Sequence, residues 1–251
     1  MKLYSLITVL FAVGASCVSS GPGANGFQQG RHWRDRASFF MPLPPWTRHF
    51  KRDMMMFDAL GDLLGSAVMR KNATMVKQLL LNSSVDPGVP NSRGETPLFR
   101  AVMNDDKVVA KLLLDTGRSL PNRLDGSGWT PLAYAAMMGH EEMADLLLST
   151  KGIEPDGKDC NGWTPLLHAA AGGYEFIVQH ILAADGVEPD GQDGQMRTPL
   201  WWAVQNRHTA VVKLLLHSPK VKPTRPDEYG VSPLDIAKRN GDDVLVNMMK
   251  G

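Results

Sequence analysis

Apolar residues recur at a constant interval from residue 57 onward and alternate with short polar stretches. Four apolar runs begin 34 residues apart: VVAKLLL at 108–114, EMADLLL at 142–148, FIVQHIL at 176–182 and AVVKLLL at 210–216. Each run places apolar residues at the spacing of one helical face, with charged or polar interruptions. The pattern predicts one amphipathic helix in each unit, packed against its neighbours on both sides.

A shorter helix is predicted ahead of each run by the motif Thr-Pro-Leu, or Ser-Pro-Leu in the last unit. A threonine at the N-cap accepts a hydrogen bond from the first helical turn, and proline fits next because its missing N–H would be unpaired there anyway. The motif begins, always 34 residues apart, at Thr96, Thr130, Thr164, Thr198 and Ser232.

Small residues keep the same interval. Glycines at 139, 173 and 241 suit a left-handed residue that ends the first helix, and a small side chain lets helices of successive units approach closely. The alanine column is Ala67, Ala101, Ala135, Ala169, Ala203 and Ala237. A loop after the second helix, such as GIEPDGKDCNG at 152–162, projects a finger with turn residues at its tip. One such unit cannot bury its apolar faces, so stacking of neighbours must form the core.

The motif Thr-Pro-Leu-x-x-Ala, the alanine-rich first helix, Gly139-His140 and the leucine-rich second helix resemble ankyrin repeats. The resemblance covers 57–251, about three quarters of the chain. It implies an all-α repeat solenoid of about six ankyrin repeats, each a helix-turn-helix with a β-turn or hairpin finger. The predicted repeats are approximately 57–90, 91–124, 125–158, 159–192, 193–226 and 227–251.

Two features depart from the usual ankyrin pattern. The period is 34 residues, whereas ankyrin repeats usually have about 33; the longer loops resemble those of ankyrin proteins common in filamentous fungi. The histidine that often follows Thr-Pro-Leu is replaced in every full repeat, which makes the finger geometry harder to predict than the stacking. The replacing residues are Phe99, Ala133, Leu167, Trp201 and Asp235.

The first 20 residues, MKLYSLITVLFAVGASCVSS, have the order of a secretory signal peptide: Lys2, an apolar run and then small residues. We interpret them as cleaved, which predicts a secreted protein without stable membrane insertion. An uncleaved anchor or an intracellular chain is the alternative. Asn72-Ala73-Thr74 and Asn82-Ser83-Ser84 match the acceptor pattern for N-linked glycans, so Asn72 and Asn82 are predicted glycosylation sites.

Residues 21–56 mix glycine, proline, arginine and isolated aromatic residues without a helical or strand period. They are predicted to form a disordered linker, with Lys51-Arg52 as a possible processing site. The linker carries six basic and two acidic residues, a net charge of +4, which leaves 57–251 at −4. An acidic repeat domain does not favour a nucleic-acid partner.

Catalytic sequence motifs are absent: the chain has no His-Glu-x-x-His, no phosphate-binding Gly-x-x-x-x-Gly-Lys, no Gly-x-Ser-x-Gly and no Cys-x-x-Cys. With two cysteines in all, stability must come from packing and not from a disulfide framework. The sequence therefore predicts a monomeric protein that is not an enzyme and needs no metal or cofactor.

The resemblance to ankyrin repeats implies that a protein partner binds the concave face formed by finger tips and first helices. Trp129 and Trp163 are the strongest candidates because aromatic anchors dominate interface energetics; shielding of the finger is the alternative role for both, and packing between first helices is expected for Trp202. The predicted partner-binding residues are Arg93, Glu95, Trp129, Met137, Met138, Trp163, Arg197 and Tyr229. The alternative functions are an uncleaved membrane-anchored or intracellular scaffold, or an accessory component of a small-molecule biosynthetic pathway.

Overall fold

The computed structural model describes residues 63–250 of the 251-residue chain. Within this range the regular structure consists of helices, and no strand occurs. The helices are α1 (63–69), α2 (Ala73–Leu80), α3 (Pro97–Met103), α4 (Lys107–Leu114), α5 (Pro131–Met138), α6 (Glu141–Leu148), α7 (Pro165–Gly172), α8 (Glu175–Ala183), α9 (Pro199–Gln205), α10 (Thr209–Leu216), α11 (Pro233–Arg239) and α12 (Asp243–Lys250). The predicted signal peptide and linker lie outside the described residues.

The first helix of each full repeat begins as the Thr-Pro-Leu motif predicts. Thr96 Oγ1 accepts a hydrogen bond from the Phe99 backbone N–H at 3.1 Å, and Thr130 Oγ1 accepts one from Ala133 at 3.0 Å, each with proline in the first turn. Ser232 Oγ likewise accepts a hydrogen bond from the Asp235 N–H, and the Asp235 carboxylate accepts one from the Ser232 backbone N–H. The local sequence therefore fixes where the first helices start.

In the third and fourth repeats a left-handed glycine ends the first helix, where the chain turns sharply into the second. Gly139 has a φ of 72°, and a Cβ added there would lie 2.4 Å from a ring carbon of Tyr174 in the next repeat. The left-handed backbone favours glycine, and the close approach of the Tyr174 ring leaves no room for a Cβ at this position unless the ring moves. The turn residue thus also serves the stacking of repeats.

The helices form two layers. First helices pack in series from α3 through α11, second helices pack in series from α2 through α12, and each first helix packs on the second helix of its own repeat. One continuous core lies between the layers, with Leu98, Leu132, Leu166 and Leu200 fully or almost fully buried. The alanine column is buried at all six positions, as close approach between first helices requires.

Each finger is a short turn and not a paired hairpin. In the first finger the Gly94 N–H donates to the Asn91 carbonyl at 2.9 Å, and the Asn91 N–H donates to the Glu95 carbonyl at 3.0 Å. Neighbouring fingers are joined by backbone bonds such as Gly126 N–H to the Arg93 carbonyl, 2.9 Å. The hairpin part of the expected finger is therefore not formed within residues 63–250, because each turn closes before strands can extend.

One finger carries methionine where the others carry glycine, and this predicts a stabilising substitution. Gly94, Gly128, Gly162 and Gly230 have φ between 75° and 80°, and Met196 holds the same place at 61°. Left-handed backbone costs a residue with a Cβ about 1–2 kcal/mol, and the Met196 side chain is 48% exposed. We expect Met196→Gly to raise the free energy of unfolding in urea by about 0.5–1 kcal/mol after the entropy cost of glycine. Met196→Ala, which keeps the Cβ, is the control; an equal gain from both variants would contradict the strain.

Candidate functional site

Five ring side chains form a continuous series along the fingers and first helices, a surface that we call the inner face. Three centroid distances are equal: Trp129 to His168, His168 to Trp163, and Trp163 to Trp202 are each 4.8 Å. Tyr134 meets the edge of Trp129 at 6.4 Å. We call Tyr134, Trp129, His168, Trp163 and Trp202 the aromatic ladder.

The repeat itself explains why these rings meet. Trp129 and Trp163 each precede an N-cap threonine, at the foot of a finger, and Tyr134, His168 and Trp202 lie five residues later in the period, on the first helix. Each finger tryptophan contacts rings of its own repeat and of the next, so the series crosses three repeats. Such tilted and edge-on ring pairs each add about 0.5–1.5 kcal/mol beyond area burial. The ladder is thus a rigid surface made before any partner binds.

The central ring is held by a buried hydrogen bond. His168 Nε2 lies 2.9 Å from Asp159 Oδ2, and the Asp159 side chain is fully buried. Burial lowers the pKa of His168, and the hydrogen bond and negative charge of Asp159 offset only part of this effect. His168 is therefore neutral at physiological pH and donates its Nε2–H to the carboxylate.

This lowered pKa predicts a loss of stability in mild acid. Below pH 6.5, the ordinary pKa of histidine, the unfolded chain binds a proton that the folded chain still excludes. The free energy of unfolding is therefore expected to fall by up to about 1.4 kcal/mol per pH unit below that pH. His168→Gln keeps an N–H donor for Asp159 but does not titrate, so it is the matched control in urea unfolding from pH 7.5 to 5. A wild-type loss no steeper than that of the variant would contradict a neutral His168.

Asp193 organises the far end of the ladder. Its Oδ1 accepts the backbone N–H of Gln195 at 2.8 Å and of Arg197 at 2.9 Å, and its Oδ2 accepts Arg197 Nε at 2.9 Å and Trp202 Nε1 at 3.1 Å. The Arg197 guanidinium lies over the Trp202 ring, 4.2 Å from its centroid. Trp202 also meets Trp201 edge-on, with centroids 5.1 Å apart and ring planes at 71°. Arg197 therefore closes the ladder with a cation–π contact.

One repeat before Trp129, the inner face carries a salt bridge in place of aromatic rings. Glu95 is buried, and its Oε2 accepts hydrogen bonds from Asn91 Nδ2 at 2.7 Å and Arg100 Nε at 3.1 Å. Burial acts to raise the pKa of Glu95, but these hydrogen bonds and the Arg100 charge outweigh it and lower the pKa. Glu95 thus occupies the place that Trp129 takes one repeat later, with a salt bridge instead of a stack.

The methionines give the inner face its open apolar surface. Met138, on the last turn of α5, is 45% exposed, and Met103, at the matching end of α3, is 39% exposed. Met137 and the two finger tryptophans are half-buried. The structure therefore places Trp129, Met137, Met138 and Trp163 on two adjacent repeats, and Met103 holds the place of Met137 in the preceding repeat.

The remaining predicted partner-binding residues occupy different settings. Arg93 is exposed at a finger tip and lines, with Glu95, a cleft of about 520 Å³ between two fingers. Arg197 is half-buried against Trp202, and Tyr229 is 75% exposed at the tip of the last finger. Arg93 and Tyr229 are thus open to a partner, whereas Glu95 and Arg197 have their charges engaged within the chain.

Sequence reasoning did not identify Tyr134, His168 and Asp159 as parts of one site. The signal was present, since Arg100, Tyr134, His168, Trp202 and Ile236 share one place in the period. These residues indicate the ladder only when they are considered together with the residues five positions earlier, which include Trp129 and Trp163.

Two further histidines lie outside the ladder. His140 and His208 contact backbone carbonyls of the preceding repeat, those of Val102 at 3.2 Å and Ala171 at 3.0 Å.

Both predicted glycan acceptors are exposed and lie in the first repeat. Asn72 stands between α1 and α2, where its side chain caps α2 by accepting the Met75 N–H at 3.0 Å. Asn82 follows α2 and accepts the Ser84 N–H at 3.0 Å. Their modification remains a prediction.

Comparison with known proteins identifies the fold family. A family model described as "Ankyrin repeats (3 copies)" matches residues 64–159, 122–193, 151–227 and 169–249, which together span most of the chain. The chain belongs to the ankyrin-repeat family. Its structure is similar to the crystal structure of EF0377, an ankyrin repeat protein, with a TM-score of 0.72 and 25% sequence identity over 76% of this chain and 97% of that one. No curated protein matches the sequence.

Membership of this family sets the class of function. Ankyrin repeats generally mediate protein–protein interaction and typically form non-enzymatic scaffolds. In the part of the chain that the structure describes, no group of three histidine, cysteine, aspartate or glutamate side chains is arranged to hold a metal ion. None of the helices between residues 63 and 250 has the length and apolar character needed to cross a membrane.

Proposed function

We propose that this ankyrin-repeat protein is a non-enzymatic interaction module that binds a protein partner through its inner face. The partner's contacts centre on Trp129, Met137, Met138 and Trp163. The single observation that carries the proposal is that exposed methionine and preassembled, half-buried tryptophan rings occur on the fingers and first helices of adjacent repeats.

Physical reasons favour this surface as the binding site. Tryptophan concentrates binding energy at interfaces, and methionine adds apolar contact that adapts to a partner's shape. Because the ladder rings are already fixed by stacking and by Asp159, binding costs little side-chain entropy there. The outer surface of the neighbouring α6 carries Glu141, Glu142 and Asp145 instead, which is typical of a solvated helix.

The proposal predicts that a charge at Met138 abolishes binding. Peptides selected from a random displayed library on the immobilised full chain are expected to lose at least tenfold in affinity for Met138→Glu, because a carboxylate would enter an apolar contact. Val108→Glu is the matched control, since Val108 is 63% exposed on second helix α4. Equal affinities for the two variants would contradict the placement of the site.

We further propose that the protein is exported. The support is the signal-like sequence of residues 1–20 together with the two exposed Asn-x-Ser/Thr sites at Asn72 and Asn82. Intact-mass and N-terminal peptide mass spectrometry of medium and lysate from a eukaryotic host tests this. A chain in the medium that begins near Gly21 is expected; a full-length, unglycosylated chain confined to the lysate would overturn export.

A further inference from the structure

The repeats that carry the centre of the ladder are strongly acidic. Residues 125–192 contain eleven acidic and two basic residues, a net charge of −9, whereas 63–124 and 193–250 carry +4 and +3. Glu141, Glu142, Glu154, Glu175 and Asp185 are exposed. Glu141, Glu142 and Glu175 lie on second helices, so the field of these repeats attracts a cationic segment to this part of the stack, and apolar contacts are needed to direct it to the ladder.

One segment of this chain has the complementary chemistry. Residues 31–52, RHWRDRASFFMPLPPWTRHFKR, contain six basic residues and one acidic residue, a net charge of +5. Pro42, Pro44 and Pro45 favour the extended polyproline II conformation at low entropic cost, and Pro42 and Pro45 have the P-x-x-P spacing. Grooves lined with aromatic side chains recognise such segments.

We propose that residues 31–52 of this chain dock on its own inner face, with the prolines of 42–45 against Trp129, Trp163 and Met138. The inference rests on the proposed function, because the segment then occupies the surface that a partner protein needs. Its prolines and aromatic residues contact the ladder, and its arginines and lysine lie in the field of the acidic repeats. The composition of residues 31–52 predicts no folded structure for the isolated segment, so docking on the ladder would order it.

The covalent link to the repeats favours binding of residues 31–52 over binding of a free peptide. Seventeen residues separate Pro45 from residue 63, the first described residue of α1, and the eighteen steps between them can extend to about 60 Å. First helices of adjacent repeats stack about 8–10 Å apart, so α5 and α7 lie about 20–30 Å from α1. The segment therefore reaches the ladder, and its tether supplies an effective concentration on the order of millimolar.

Cleavage at Lys51-Arg52 would separate the docking segment from the repeats. The bond after Arg52 lies between the docking segment and the repeats, so cutting it converts a tethered occupant into a free peptide. Without the tether the segment loses its effective concentration and leaves the inner face. The same chain thus exists in a masked form and, after processing, in an open one.

Photo-crosslinking of the full chain tests the docking. p-Benzoylphenylalanine replaces Phe40, within the docking segment, or Phe27, outside it as the position control. Peptide mass spectrometry then maps the crosslinked sites, and an equal mixture of ¹⁵N-labelled and unlabelled chains separates contacts within one chain from contacts between chains. A second chain with the Phe40 label also carries Pro42→Ala, Pro44→Ala and Pro45→Ala, and a third carries Met138→Glu.

The expected result is crosslinks from position 40 to Trp129, Met137, Met138 or Trp163 within one isotopic chain. Their yield should fall at least fivefold in the triple proline variant and in Met138→Glu, and position 27 should not reproduce them. Crosslinks away from the inner face, or a yield unchanged by these substitutions, would overturn the proposal. Crosslinks of mixed isotopic composition would also overturn it in favour of docking between two copies. The peptide selection, run on the triple proline variant, tests the proposed function separately, because failure of the docking leaves that selection unaffected.

Discussion

Asp193→Ala is expected to lower the free energy of unfolding by about 3–5 kcal/mol. The Asp193 carboxylate is fully buried and accepts four hydrogen bonds, two from backbone N–H groups of the finger and two from Arg197 and Trp202. Alanine leaves a guanidinium, an indole N–H and two amides without their acceptor. Removal of one partner from a buried network costs more than the network adds in net stability, because the remaining polar groups stay desolvated.

Asp193→Asn separates the backbone role from the charge. Asparagine retains an oxygen for the Gln195 and Arg197 amides but presents no second acceptor to Arg197 and Trp202, so an intermediate loss of about 1–3 kcal/mol is expected. Urea unfolding followed by tryptophan fluorescence measures both variants. A loss under 1 kcal/mol for Asp193→Ala would show that the network does not stabilise this end of the ladder.

Ala169→Leu should cost about 2–3 kcal/mol by overpacking the layer of first helices. Ala169 is fully buried on α7, which packs against α5 on one side and α9 on the other. Leucine adds three carbons at a place where two neighbouring helices would have to move. Because each repeat is stabilised by its neighbours, the loss of stability is expected to be larger for Ala169→Leu than for the same substitution at Ala237, on α11 in the last repeat.

Ala210→Leu is the matched control for this substitution. Ala210 is exposed on second helix α10, so the same added carbons meet solvent and the change should stay within about 0.5 kcal/mol. Thermal and urea unfolding of the two variants give the comparison. Equal stabilities would contradict the close packing of first helices on which the account of the stack depends.

The periodic columns made the architecture predictable from sequence. Thr96 and its equivalents predicted the helix starts because capping is a local property of adjacent residues, and the alanine column predicted close packing because its spacing equals the repeat. Of the two expected finger forms, a β-turn or a hairpin, the fingers within residues 63–250 have the turn, since the turn from Asn91 to Glu95 closes over five residues and leaves no length for paired strands.

The aromatic ladder was only partly predictable. Trp129 and Trp163 stood out by residue type, but the contacts of Trp129 with His168 and of Trp163 with Trp202 join neighbouring repeats. These contacts depend on how far one repeat is offset from the next, which spacing along the chain does not contain. The ion pairs of Glu95 with Arg100 and of Asp193 with Arg197 each lie within one repeat, and residue type alone did not show that these charges are engaged inside the chain. The position of a residue in the repeat predicted that it lies on a finger or a first helix. The three-dimensional contacts decide whether its side chain is exposed to a partner.

Methionine methyl resonances test the central claim that partners bind the inner face. A full chain labelled with ¹³C at its methionine methyl groups is titrated with a peptide selected on the wild-type chain, and each resonance is assigned by substitution. The account predicts large shifts for Met103, Met137 and Met138, and none for Met248, which is exposed at 36% on second helix α12. Shifts confined to Met248, with the three inner-face resonances unmoved, would contradict binding through the inner face.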